Sequence, residues 1–168
     1  HARKAMLGKF TPKQNLNIPP LKYEMVYKLK EDFKELNIII NGGITSPEQI
    51  KDHIKKVDGV MIGRSIYHSP YLLADIEKEI FQNEDVSSRQ EVVEKLVKYL
   101  KDEIKKGTRV NQVMRHTLGL FHGQTGSNFW KRYLSENMCV RDADIQKVDH
   151  ILDKVKLNHV TQPTGQID

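Results

Sequence analysis

One cysteine, Cys139, in 168 residues excludes an intrachain disulfide framework and a multi-cysteine zinc site. That sparing use of thiol fits a reducing cytoplasm. No apolar run of about 18 residues is present to span a bilayer, and the first residues lack the apolar core of a signal peptide. The opening His1-Ala2-Arg3-Lys4-Ala5 carries neither an initiator methionine nor a helix-capping residue, so a piece of a longer chain is expected. Strand-forming β-branched runs are missing after residue 81, which confines any sheet to the first half. Acids are missing between Glu103 and Glu136, an interval that holds Lys105, Lys106, Arg109, Arg115, Lys131 and Arg132.

What is present is an ordinary globular balance, 38% apolar and 29% charged, with a formal charge of +5 and a pI near 9.2. Residues 1–30 carry seven Lys or Arg against the single acid Glu24, which makes a second basic tract. Two such tracts suit a polyanionic partner, or else form two solvated faces.

Along the chain, Thr11-Pro12 and Ile18-Pro19-Pro20 punctuate a loop. Spacing of Val26, Leu29, Lys30 and Phe33 predicts a helix over 23–33 with those positions on one face. Ile38-Ile39-Ile40 and Asp58-Gly59-Val60-Met61-Ile62 read as short buried parallel strands, each followed by glycine. Between them Ser46-Pro47-Glu48-Gln49 opens a helix as a capping box with proline at its first position, running to about residue 56. Ser69-Pro70 opens another, through residue 80.

This β-α-β-α order predicts parallel strands joined by crossover helices. About 80 residues suffice for only the last quarter to third of a (β/α)8 barrel, which takes about 250. An open doubly wound sheet stays open on pattern alone, with the barrel favoured. The polar stretch Gln82-Asn83-Glu84-Asp85 marks a boundary, giving segments 1–82 and 83–168. Beyond it a capping box at Ser88-Arg89-Gln90-Glu91 starts a helix whose apolar face runs from Val92 to Ile104 and stops at Gly107. Further helices are expected at 112–118, 127–136 and 143–155, which predicts a small helical bundle with a loose tail from residue 158. The fold class expected is therefore α/β plus α.

Asn41-Gly42-Gly43 and Gly63-Arg64 form the sharpest local constellation. Glycines let backbone N–H groups approach an anion closely, and arginine adds a charge-assisted fork. Barrels bind phosphate at the loops after strands seven and eight, although two tight turns and a surface arginine would give the same letters. His1, with Arg3 and Lys4, can lie on the same face at the end of a preceding strand. In Asn128-Phe129-Trp130-Lys131-Arg132-Tyr133 cations interleave with aromatics. Four-residue spacing assigns Phe129 and Trp130 to packing and leaves Lys131 and Arg132 as the candidate RNA contacts.

Taken in order, His1-Ala2-Arg3-Lys4-Ala5, Thr11-Pro12-Lys13-Gln14-Asn15, Ile18-Pro19-Pro20-Leu21, Asn41-Gly42-Gly43-Ile44, Asp58-Gly59-Val60-Met61-Ile62-Gly63-Arg64, Leu118-Gly119-Leu120-Phe121-His122-Gly123 and Arg132-Tyr133-Leu134-Ser135-Glu136-Asn137 resemble the tRNA-dihydrouridine synthases, A type. The resemblance implies the C-terminal portion of an FMN-binding (β/α)8 TIM barrel followed by a helical tRNA-binding domain. It implies an enzyme in which NADPH reduces FMN, the flavin gives hydride to C6 of a flipped-out uridine, and a cysteine protonates C5. His1, Asn41, Gly42, Gly43, Gly63 and Arg64 would contact FMN, and Arg3, Lys4, Lys13, Lys131 and Arg132 would meet tRNA. No metal is expected.

Cys139 matches no catalytic motif of that family, so the chain by itself is expected to be inactive. Leu16 stands apolar where the resemblance implies a basic RNA contact. The competing expectations are a non-catalytic RNA-binding module and a flavin- or phosphate-binding barrel enzyme of a small metabolite.

Overall fold

A computed structural model describes residues 1–137, and the expected helix at 143–155, the tail and Cys139 lie outside the described residues. The element order is α1 (Pro12–Asn15), α2 (Tyr23–Asp32), β1 (Ile39–Asn41), α3 (Pro47–Ile54), β2 (Gly59–Met61), α4 (Arg64–His68), α5 (Leu72–Glu79), α6 (Arg89–Lys105), α7 (Val110–Met114) and α8 (Ser127–Asn137). The described residues thus form a mixed structure of helices around one pair of parallel strands. None of these helices is long and apolar enough to cross a membrane.

β1 and β2 pair in parallel, Ile39 with Gly59, Ile40 with Val60 and Asn41 with Met61. Parallel partners need a crossover, and α3 supplies it. β1 is shifted one residue from the Ile38–Ile40 run, and β2 is shorter than the run 58–62. Ile38 is excluded because its N–H donates to the Asp58 carboxylate at 2.8 Å, while the Asp58 N–H donates to the Ile38 carbonyl at 3.0 Å. Lys30 completes the lock, 2.8 Å from the same carboxylate oxygen. The Ile38 N–H, and after it Lys30, hold the Asp58 carboxyl below its usual range. Before the strands, the Ala2 N–H donates to the Asn41 carbonyl and the Lys22 N–H to the Ala2 carbonyl, so the N-terminal segment lies beside the end of β1.

α3 begins as its letters require, with the Ser46 hydroxyl accepting from the Gln49 N–H and proline in the first turn. The reciprocal half of the expected box is different. Gln49 Oε1 accepts from the Thr45 N–H at 2.8 Å, so the side chain caps one residue earlier.

α2 forms where its spacing predicts, turned so that of the spaced apolar residues only Val26 packs inward. Leu29 and Phe33 are exposed, and the helix packs through Tyr23, Val26 and Tyr27 onto Ile40, Ile44, Ile50 and Val57. Hydrogen bonds set that rotation: the Tyr23 hydroxyl donates to the Gly42 carbonyl at 2.7 Å, and the Tyr27 hydroxyl shares a 2.8 Å bond with His53 Nδ1. Tyr23 also stands edge-on to the His53 ring, 4.6 Å between centroids. Burial pushes the His53 imidazole below its ordinary pKa, which favours the neutral ring among these aromatics.

After β2 the chain makes the short α4, which the letters did not announce. Ser69-Pro70-Tyr71 then forms a turn, with Leu72 N–H to Ser69 carbonyl at 3.0 Å, and α5 starts later than proline alone suggested.

A second apolar cluster gathers Val93, Val97 and Leu100 of α6, Val110 and Met114 of α7, Leu120, Phe121, and Trp130 and Leu134 of α8. Full burial of one such aliphatic side chain contributes about 1.5–3 kcal/mol. α6 keeps its capping box, Glu91 N–H to Ser88 Oγ at 3.2 Å and Ser88 N–H to Glu91 Oε2 at 2.7 Å. Its end is a paired turn in which Gly107, at φ +90°, donates to Ile104 and Thr108 donates to Glu103. α7 stops at Met114, before residue 118, where the Thr117 hydroxyl turns back onto the Met114 carbonyl and the Trp130 indole takes the Thr117 carbonyl at 2.9 Å.

The segment after β2 meets the helical segment in close contact. A Cβ on Gly119 would overlap the His68 carbonyl oxygen and stand 2.7 Å from its carbon. Arg89 stacks 3.7 Å over the Tyr71 ring while its Nε donates to the Leu120 carbonyl, and the Tyr71 hydroxyl donates to the Ser87 carbonyl. Gly119→Ala therefore forces backbone apart, and overpacking of this kind costs about 1–3 kcal/mol. Urea unfolding followed by the emission of Trp130, the sole tryptophan, should show the lower midpoint; an unchanged midpoint would refute the contact.

Candidate functional site

The register of the strand pair sets two glycine turns side by side. Asn41 lies opposite Met61, so Gly42-Gly43 and Gly63-Arg64 leave the same end of the pair. Gly42 and Gly43 have φ of +120° and +71°, a region closed to most side chains. Space is as strict as conformation: a Cβ on Gly42 would stand 2.9 Å from His1 Cε1, and one on Gly43 would stand 2.6 Å from Leu21 Cδ1. The Tyr23 hydroxyl holds the Gly42 carbonyl from below, and the Ser65 hydroxyl donates to the Ile44 carbonyl, tying one turn to the other.

His1, Asn41, Gly42, Gly43, Gly63 and Arg64 line one cleft of about 650 Å³. The His1 ring is steadied by the Arg3 N–H, which donates to its Nδ1 at 3.0 Å. His68 of α4, His122 of the turn between α7 and α8, and Leu16 complete parts of the wall, and no Asp or Glu among the described residues lines it. No described residue accepts a hydrogen bond from the N–H of Gly43, Ile44, Gly63, Arg64 or Ser65. Gly63 differs from its neighbours, because a Cβ there would meet only Met61 Sδ, at 3.9 Å. The chain's own packing does not demand a bare backbone at that point, and the space belongs to the cleft. An acid-free hollow with uncommitted amides, one guanidinium and imidazole rings suits a phosphate-bearing ligand.

The five residues assigned to RNA stand elsewhere, none of them lining the cleft. Arg3 is half-buried and its guanidinium donates to the Pro19 carbonyl, which ties the N-terminal segment to the proline loop. Lys4, Lys13, Lys131 and Arg132 are exposed. On α8, Trp130 is buried against Phe121 and Phe129 stacks on Tyr133, as their spacing indicated, which leaves the two cations outward.

Sequence reasoning missed Tyr23, Asn17, His68 and His122. His122 sits in the Leu118-to-Gly123 motif, and its signal was present without a role. Asn17, Tyr23 and His68 carried no local signal beyond their positions at the ends of short helices.

A family model described as Dihydrouridine synthase (Dus) matches residues 1–156. A tRNA-dihydrouridine(20/20a) synthase of Haemophilus ducreyi is 46% identical over 153 residues, covering 90% of this chain and 47% of that protein. Its namesake in Synechocystis sp. is 47% identical over 144 residues, covering 85% and 43%. In Shewanella oneidensis the figures are 44% over 163 residues, with 96% and 49% covered. The chain spans about half the length of the curated relatives it matches.

The two kinds of glycine make a paired test. Gly43→Ala should lower thermal stability, since positive φ and the Leu21 methyl both oppose it. Gly63→Ala should cost less stability and yet weaken binding of a phosphate-bearing ligand, by placing a methyl in the cleft. Parallel losses of stability and binding in both variants, compared by thermal melts and titration with inorganic phosphate, would show that Gly63 is only a turn.

Proposed function

The chain belongs to the dihydrouridine synthase family, and from that premise we propose that it is the flavin-phosphate and RNA-facing part of a tRNA-dihydrouridine synthase. Residues 1–82 would be the C-terminal portion of an FMN-binding (β/α)8 barrel, with residues 83–168 a helical tRNA-binding domain. The observation that carries this reading is the convergence of His1, Asn41, Gly42, Gly43, Gly63 and Arg64 on one acid-free cleft. The relatives' names place their reaction at tRNA positions 20 and 20a, and the same uridines are the proposed substrates here.

When bound, FMN reduced by NADPH supplies hydride to C6 of uracil. The chain's own residues would do three things. Gly42-Gly43 and Gly63 would bring backbone N–H groups against the flavin phosphate, and Arg64 would add a full charge. His1, fixed through Nδ1, would present the rest of its ring to the cofactor. Lys4, Lys13, Lys131 and Arg132 would neutralise RNA phosphates while the target base is extruded into the cleft. No cysteine lies among the described residues, and the proton for C5 is assigned to the catalytic cysteine of the whole protein, and turnover to that whole protein.

A charge-assisted contact to phosphate is worth about 1.5–3 kcal/mol, and about 1.4 kcal/mol is tenfold in affinity. In the whole protein Arg64→Ala should therefore lose flavin by roughly tenfold or more on dilution, with tRNA affinity changed less. Absorbance after gel filtration reads the occupancy, and equal flavin in variant and parent would remove Arg64 from the site.

The RNA assignment has its own signature. Each cation that meets a phosphate contributes about 0.7–0.9 to the slope of log affinity against log salt. The double variant Lys131→Ala, Arg132→Ala should flatten that slope by somewhat under one unit per lost contact, in tRNA titrations at several salt concentrations. Parallel lines with unchanged affinity would make these side chains a solvated face.

A further inference from the structure

Arg64 does not wait free in the cleft. One of its terminal nitrogens donates to Asn17 Oδ1 at 2.5 Å and the other to the Leu16 carbonyl at 3.2 Å. Both acceptors are neutral. Among the described residues no carboxylate pairs with Arg64, so the guanidinium is held in place without having its charge cancelled. A guanidinium has five N–H donors, and these two contacts leave the others for an anion. We propose that Asn17 is a positioning residue for the phosphate site, aiming Arg64 at the ligand while keeping its full charge available; this rests on the flavin-phosphate reading above.

The anchor is itself well tied. The Asn17 N–H donates to the Gln14 carbonyl at 3.0 Å, and its Nδ2 reaches the Lys13 carbonyl at 3.5 Å, so Asn17 closes the end of α1. The other end of α1 is closed by the reciprocal Thr11 and Gln14 bonds. Asn15 then fastens this turn to the preceding loop, accepting from the Met6 N–H and donating to the Phe10 carbonyl. Arg64 therefore leans on a segment that holds its own shape, and a long flexible side chain restrained before binding loses less freedom when the anion arrives.

The choice of asparagine has a consequence that a merely structural residue would not have. Aspartate is nearly the same shape, but its charge would pair with Arg64 and compete with a phosphate for it. Asn17 would thus affect a phosphate-bearing flavin and spare one without phosphate.

The test uses the whole protein and compares FMN with riboflavin, which differ by that phosphate. Parent, Asn17→Ala, Asn17→Asp and Arg64→Ala are titrated with each flavin, after thermal melts on all four. The expected result is a parent preference for FMN that falls about three- to tenfold in Asn17→Ala, the size of one ordinary hydrogen bond. It should fall further in Asn17→Asp and vanish in Arg64→Ala, with riboflavin affinity constant throughout. A parent-like preference in both Asn17 variants, with loss in Arg64→Ala, overturns the positioning role and leaves the phosphate site standing. A parent-like preference in Arg64→Ala overturns both. Equal losses for FMN and riboflavin in the Asn17 variants would make Asn17 a general support of the fold and also overturn the proposal.

Discussion

Everything at the cleft depends on the register of two three-residue strands. Because Asn41 stands opposite Met61, the glycine turn after each strand emerges at the same level, and a slip of one residue would turn each strand's inward side chains outward. Three residues cannot hold a register through the ladder alone. Asp58 does so from outside it, taking the Ile38 N–H and the Lys30 ammonium on one carboxylate oxygen. The N-terminal segment adds a third row, Ala2 donating to the Asn41 carbonyl, and thereby delivers His1 to the Gly42 backbone. A pair of ion and amide contacts far from the cleft thus decides where its walls stand.

At the cleft and its flank glycine serves three separate purposes, and the neighbouring atoms distinguish them. Gly42 and Gly43 are bare because positive φ and the side chains of His1 and Leu21 leave no alternative. Gly119 is bare because another backbone, the His68 carbonyl, fills the place of its side chain. That contact is why the helical segment reaches the cleft at all, since His122 follows three residues later and enters the wall. Gly63 is bare with nothing of the protein pressing on it, which is the pattern expected where a ligand is the neighbour.

Local pattern carried much of the fold and less of the site's fastening. Both strands, the crossover helix and the capped α6 were legible because each is decided within a few residues, by β-branched runs, by Ser46-Pro47 and by the Ser88 box. The six residues assigned to a cofactor were legible as glycine turns and as a family resemblance, and the fold brings them to one cleft. What failed depended on partners distant in sequence. The inward residues of α2 were not legible, because Tyr23 and Tyr27 find Gly42 and His53, which no periodicity reveals. Arg64 and Asn17 lie 47 residues apart, and nothing in either neighbourhood announces the bond.

Charge shows the same limit of regional accounting. Residues 31–82 hold nine acids against six bases, a segment that by its total should repel an anion. Yet among the described residues the cleft is lined by Arg64 and by no carboxylate. Three of these acids are paired elsewhere, Asp58 with Lys30, Asp52 with Lys55 and Glu79 with Lys51, and the Ser46 hydroxyl at the start of α3 holds the Glu48 carboxyl below its usual range. Within a Debye length of about 8–10 Å, such pairs present little net field to a bound ligand. The potential an anion meets is therefore set by which few charges face it, and Asn17, a neutral amide in the position where a carboxylate would also fit, keeps that count positive.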